Sequence, residues 1–239
     1  MYFHRASLGP VDLAFTDRFG GVSRMPYDAL NLALGGGDDP EHCRTNVRLL
    51  LDDFAPGDRL ADLHQVHGCT VEVVDAEPGQ RPDADALVSA SAGVVLMVRA
   101  ADCVPVLLAD QTAGVIGAAH CGRPGLAAGV VPATVERMRE LGAERVAAWI
   151  GPHVCGSCYE VPIELRAEVG AIVPAAVATT SWGTPSLDLG AGVHAQLEAL
   201  GVEVVDVSAC TKERSDLYSF RRDGDEAGRL AGLIRRRAG

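Results

Sequence analysis

No apolar run in the 239-residue chain reaches the ~20 residues needed to cross a bilayer. The segment from Met1 to Phe15 has no apolar signal core. A cytoplasmic protein without a membrane partner is therefore expected. Positive charge is also scarce: 21 Lys+Arg stand against 32 Asp+Glu, a formal net charge of −11. Proteins that grip a phosphate backbone present a basic face, so a nucleic-acid partner is disfavoured. The one basic cluster, Arg235-Arg236-Arg237, reads as the solvated end of a C-terminal helix, where cations suit the helix dipole. No Ser/Gly linker, charge block, low-complexity run or internal repeat marks a boundary, which favours a single domain over 1–239. Ala167 to Ala178, rich in small residues, reads as a buried element. Gly35-Gly36-Gly37 lacks both dinucleotide and P-loop spacing, and no G-x-S-x-G elbow occurs. Seven cysteines is an odd number. Under reducing conditions they are candidate ligands, nucleophiles or core fillers before they are disulfides.

What is present is the patterning of a compact α/β (α+β) protein. Continuous aliphatic runs at Val94 to Val98, Val104 to Leu108 and Val115 to Ala119 read as strands covered on both faces. Val11 to Phe15, Val71 to Val74, Arg145 to Ile150 and Glu203 to Val207 read as further strands. Asp39-Pro40-Glu41 has the chemistry of a helix start, and that helix should stop before Pro56. Further helices are expected over Leu126 to Leu141, Ile163 to Val169, Leu187 to Leu200 and Ala227 to Arg237. Gly142 and Gly201 fall where C-terminal caps belong, and Pro132 implies a kink or a late start. Several strands in succession between Val71 and Ala119 imply a mixed sheet, or two sheets, with helices outside.

His67, Cys103 and His120 each lie at the end of a predicted strand, where a sheet can aim side chains into one site. If Val104 to Leu108 and Val115 to Ala119 pair as a hairpin, Cys103 and His120 come together. Two imidazoles and a thiolate suit Zn²⁺, with a fourth position open for water or substrate. Asp102 is a candidate to support a ligand imidazole. Spacing alone leaves two alternatives open: His64 in place of His67, and ordinary structural roles for every His and Cys. Cys155-Gly156-Ser157-Cys158 has no second C-x-x-C and reads as a loop with two unrelated thiols. Cys121 reads as a reactive thiol near the site or a small residue in a tight turn. Arg221-Arg222, beside aromatic residues, is a candidate anion grip, and Arg48 is a second. A Cys103 nucleophile with a His base uses the same residues in other roles.

The motifs as a set resemble the YfiH/YlmD laccase-domain family. They are Phe19 to Ser23 (F-G-G-V-S), Leu30 to Leu32 (L-N-L), Gly37 to Pro40 (G-D-D-P), Gln65 to Gly68 (Q-V-H-G) and Ala84 to Val88 (A-D-A-L-V). They continue through Ala101 to Leu108 (A-D-C-V-P-V-L-L), Ala118 to Gly122 (A-A-H-C-G), Cys158 to Val161 (C-Y-E-V) and Tyr218 to Gly224 (Y-S-F-R-R-D-G). The resemblance implies a multilayered mixed β-sheet core with flanking helices, related to the cytotoxic necrotizing factor catalytic domain. It implies one catalytic Zn²⁺ on His67, Cys103 and His120. Copper is disfavoured, because multicopper sites need more His than the seven present. It further implies phosphorolysis of adenosine, inosine and guanosine to free base and ribose 1-phosphate, a glycosyl transfer, with adenosine deamination and methylthioadenosine cleavage alongside. Editing of peptidoglycan precursors by hydrolysis and a non-catalytic metal-binding role are the alternatives. Substrate or phosphate contacts are expected from Asn31, Arg48, Tyr218, Arg221 and Arg222, and support for the ligands from Gln65 and Asp102. The chain departs from the family pattern at His120-Cys121-Gly122-Arg123-Pro124-Gly125, where a Trp-Arg pair is usual, at Asn46-Val47-Arg48 and at Cys210-Thr211-Lys212. These changes touch the pocket rim and leave the three ligands in place.

Overall fold

A computed structural model describes residues 1–75 and 79–238. The chain opens with the antiparallel pair β1 (Tyr2–Leu8) and β2 (Val11–Thr16), followed by helix α1 (Pro40–Phe54). Short strands β3 (Arg59–Ala61), β4 (Val71–Val73) and β5 (Ala86–Ser89) precede the long ones β6 (Val94–Ala100), β7 (Val104–Asp110) and β8 (Val115–Cys121). Helices α2 (Arg123–Ala128) and α3 (Val130–Glu140) lead to β9 (Ala147–Ile150), α4 (Ile163–Ile172), β10 (Val177–Thr179) and β11 (Pro185–Leu187). The chain ends with α5 (Leu189–Ala199), β12 (Glu203–Asp206), the short α6 (Phe220–Asp223) and β13 (Leu230–Arg236).

Two mixed sheets form the core. One has five strands in the order β1-β2-β13-β6-β3, and the other six in the order β12-β9-β7-β8-β5-β4. Leu13, Phe15, Leu96, Leu107, Ala118 and Ile234 pack together between them. The outer face of the five-stranded sheet meets Leu50 and Phe54 of α1. The outer face of the six-stranded sheet meets Val131, Val135 and Met138 of α3 and Val193 and Leu197 of α5. Each sheet is thus covered on both faces. That explains why β6, β7 and β8 are buried at every position and read as unbroken apolar runs.

Local signals acted where expected. The Asp39 side chain caps α1 by accepting from the Glu41 N–H. The helix expected over Leu126 to Leu141 divides at Gly129, which adopts φ 80°, and Pro132 sits in the first turn of α3, where no N–H is needed. Gly142 and Gly201 close their helices with φ 96° and 68°.

The C-terminus corrects the expected helix over Ala227 to Arg237. It is strand β13, in the middle of the five-stranded sheet between β2 and β6. Leu230-Ala231-Gly232-Leu233-Ile234 is apolar on both faces, and such a run does not separate a buried strand from a buried helix. Arg235 and Arg237 are accordingly not a helix end. Both pair with Asp12 across the sheet, and Arg235 also pairs with Asp58. Ala167 to Ala178 is likewise mostly exposed, with only Val169, Val173 and Ala176 buried.

Candidate metal centre and cleft

The hairpin β7–β8 sets the site. Val104 pairs with Cys121 and Pro105 with His120, so the residue before β7 lies beside the end of β8. His120 and Cys121 alternate across the strand. Cys121 enters the core against α2 and α3, where burial pushes its thiol up and leaves it inert. His120 points the other way and meets Cys103 and His67. The donor atoms of these three residues lie within 4.8 Å of one another. Cys103 Sγ is 3.9 Å from His67 Nε2, and the two imidazole rings stand edge to face at 4.8 Å.

Asp85, fully buried, organises this cluster. Its carboxylate accepts from His120 Nδ1 at 2.9 Å and from the backbone N–H groups of Val66, His67 and Gly68. The first contact fixes the imidazole and leaves Nε2 for a ligand, and the others shape the loop that carries His67. Burial raises the Asp85 carboxyl, but these hydrogen bonds outweigh it and hold the pKa below the ordinary carboxylate value. His67 adopts φ 60° and Asp102 φ 88°. Left-handed backbone at two residues without a glycine's freedom costs roughly 1–3 kcal/mol each, and it is placed at the turns that present His67 and Cys103. Gly122 must stay bare, since a Cβ there would stand 2.7 Å from the His67 ring and 3.2 Å from Cys103 Sγ.

The electrostatics suit a cation. Burial raises the Cys103 thiol, yet the His120 charge and hydrogen bonds from His120 and His67 bring it down to about 6. Burial lowers His120, but the Cys103 thiolate and Asp85 carry it up to about 9. Without a metal the pair is thiolate and imidazolium. Two imidazoles and one thiolate are a donor set that fits one Zn²⁺, with one position left over.

The cluster lies in a cleft of about 700 Å³ lined also by Leu63, Gln65, Arg99, Tyr159, Phe220, Arg221 and Arg229. The Arg221 guanidinium stacks on Tyr159 at 4.4 Å and donates to the Glu160 carbonyl. Arg99 is buried, with Asp62 and the Leu32 carbonyl as partners. Its Nη1 has no partner among the described residues.

Of the residues expected at the site, Gln65 and Asp102 line the cleft but hold other partners than those expected, and Asn31, Arg48, Tyr218 and Arg222 lie outside its lining. Asp102 supports no imidazole: it accepts from Thr211 Oγ1 and from the Arg221 N–H, and Asp85 takes the role expected of it. Gln65 pins the loop to β6 through both backbone groups of Arg99 and touches no ligand. Asn31 is buried among Asp38, Cys43 and the N–H groups of Ala33 and Arg229. Tyr218 is buried and donates to the Tyr27 carbonyl. Arg222 donates to the Thr211, Arg214 and Leu217 carbonyls, a clamp on a loop. Arg48 is on the outer side of α1, beside Thr45. Sequence patterning alone does not mark Asp85, Arg99, Tyr159 or Arg229 as site residues. Asp85 and Tyr159 stood inside quoted motifs, and Arg99 is a lone charge closing an apolar run.

The sequence pattern described as multi-copper polyphenol oxidoreductase laccase matches residues 12–237. The chain is 52% identical over 240 residues to a Streptomyces coelicolor protein named purine nucleoside phosphorylase, covering 98% of this chain and 99% of that one. It is 37% identical over 224 residues to Escherichia coli YfiH, of the same name, covering 91% and 90%. The crystal structure of a Neisseria meningitidis protein superimposes with a TM-score of 0.88 at 33% identity, over 100% of both chains.

Proposed function

The chain belongs to the family described as multi-copper polyphenol oxidoreductase laccase, and on that footing we propose that it is a zinc-dependent purine nucleoside phosphorylase. The observation that carries the reading is the His67–Cys103–His120 cluster opening into a cleft walled by arginine and aromatic side chains. The relatives named purine nucleoside phosphorylase support the reaction class.

His67, Cys103 and His120 would hold the zinc, with Asp85 fixing His120 and the His67 loop. The ion, when bound, supplies Lewis acidity at the cleft floor. Tyr159 and Phe220 offer ring faces to a purine, and stacking of this kind tolerates adenine, hypoxanthine and guanine alike. Arg99, Arg221 and Arg229 supply positive charge and N–H donors to phosphate. In the overall reaction a phosphate oxygen forms a bond to C1′ of the nucleoside while the bond from C1′ to N9 breaks. The electron pair leaves with the base, which takes up a proton. We assign the side activities to the same cleft: methylthioadenosine is cleaved at the same C1′–N9 bond, whereas in adenosine deamination water adds at C6 and the amino group leaves as ammonia.

Zinc-loaded protein should release hypoxanthine and ribose 1-phosphate from inosine only when phosphate is present. Arg221→Ala should raise KM for phosphate roughly tenfold or more, the loss of one charge-assisted hydrogen bond. Inosine left intact with and without phosphate defeats the proposal. The chain Cys103–His120–Asp85 also supports a second reading, a cysteine hydrolase with the thiolate as nucleophile. Turnover that persists after complete removal of metal selects it.

A further inference from the structure

A second group of donors lies outside the cleft lining. The loop after β9 carries Cys155-Gly156-Ser157-Cys158, and the loop after β12 carries Cys210-Thr211-Lys212-Glu213. Both pairs have the same two-residue spacing. Each closes a turn: the Cys158 N–H donates to the Cys155 carbonyl at 3.0 Å, and the Glu213 N–H to the Cys210 carbonyl at 3.3 Å. The two loops are bridged in parallel, His153 to Cys210, with the His153 N–H on the Ala209 carbonyl and the Thr211 N–H on the His153 carbonyl. The turns therefore face each other. Three thiols and a carboxylate have donor atoms within 4.8 Å of one another, and Cys158 Sγ is 3.4 Å from Glu213 Oε1. The Cys155 N–H donates to Cys210 Sγ at 3.5 Å, which joins the first turn to the sulfur of the second.

We propose that Cys155, Cys158, Cys210 and Glu213 form a second, structural zinc site. Four protein donors at two-residue spacing within each pair are the pattern of a closed tetrahedral site, whereas the cleft offers three donors and an open position. Ligands at zinc distances stand roughly 3.3–3.8 Å apart, so donors within 4.8 Å of one another need to close by no more than about 1 Å on binding. The C-x-x-C is thus not a pair of unrelated thiols, because its partners come from 55 residues downstream.

The ion fastens together the two loops that hold Asp102, the residue before Cys103. The Val154 N–H donates to the Asp102 carbonyl, and Thr211 Oγ1 to its carboxylate at 2.5 Å. Asp102 has φ 88°, and strained backbone persists only where its surroundings over-determine it. Zinc between the loops provides that constraint. The same site thereby braces the turn that presents Cys103.

Metal analysis together with cobalt substitution tests this without relying on turnover. Wild type should carry two zincs per chain, Cys103→Ala one, Cys210→Ser one, and the double variant none. Cobalt in Cys103→Ala should give the strong sulfur-to-metal absorption of several thiolates, and cobalt in Cys210→Ser the weaker band of one. Cys210→Ser should also lower Tm while keeping the cleft metal. If Cys210→Ser does not fold, Glu213→Gln removes a donor at equal size and should weaken the second cobalt at least tenfold in the wild-type background. One zinc in wild type that vanishes in Cys103→Ala, a single-thiolate cobalt band in wild type, or a cystine among Cys155, Cys158 and Cys210 overturns the proposal.

Discussion

Asp85 orders the cluster from outside the cleft lining, through His120 and the backbone of the His67 loop. A neutral replacement of equal size, Asp85→Asn, keeps the volume but takes the charge from beside His120 and offers fewer acceptors to three backbone N–H groups. Zinc affinity at the cleft should fall roughly 10–100-fold, and stability by about 1–3 kcal/mol, read by competition with a chelator and by denaturant unfolding. The pH dependence of zinc binding has a sign set by the same residues. His120 titrates at about 9 and Cys103 at about 6, both in the metal-free protein. Below pH 9 zinc must displace the His120 proton, so affinity should fall about tenfold per pH unit as pH drops from 9 to 6. Below 6 it must also displace the Cys103 proton, and the fall should steepen. His120→Ala should shift the Cys103 thiolate absorbance to higher pH, because burial of the thiol then loses its largest opposing charge. A thiolate titration unmoved by that change would contradict the assigned pair.

At the scale of the element, the sequence was legible where a local signal had one structural meaning. The β7–β8 hairpin, the Asp39 cap and the glycine closures needed only neighbours along the chain. The pairing of Cys103 with His120 followed from the hairpin alone. The C-terminus failed because its apolar run satisfies two periods, and what decides between them is the long-range ladder with β2 and β6. Asp12 was the missing cue, since it sits directly opposite Arg235 in that ladder. Asp12→Ala should cost roughly 2 kcal/mol, because it leaves Arg235 only Asp58 at a largely buried position and reduces Arg237 to the Gly9 carbonyl. Equilibrium unfolding in urea measures it, and a loss within 0.5 kcal/mol, about that of an ordinary surface change, would show that the network is idle. The group that faces the C-x-x-C was hidden for a related reason: its turn lies far downstream, and the bridge at His153 and the contacts of Cys155 and Cys158 with Cys210 and Glu213 bring the two together.

The whole molecule explains why these residues converge. The chain crosses from the five-stranded sheet to the six-stranded one between β6 and β7, and again between β3 and β4. Cys103 lies on the first crossing and His67 on the second, while His120 ends a strand of the six-stranded sheet. The cluster therefore sits at a seam between sheets, a relation that no single strand's pattern records. The covered faces of both sheets hold that seam rigid, as a preorganised site requires. Arg99 and Arg229 reach the cleft from β6 and from the residue before β13, both in the opposite sheet, so the two sheets jointly wall it. The most direct test replaces Cys103 with Ala and measures zinc content beside phosphate-dependent release of base from inosine. The account predicts that one equivalent of zinc and the phosphorolysis disappear together, while the fold, read by circular dichroism, remains. Phosphorolysis surviving the loss of that zinc, or zinc content unchanged by the loss of the thiol, would contradict it.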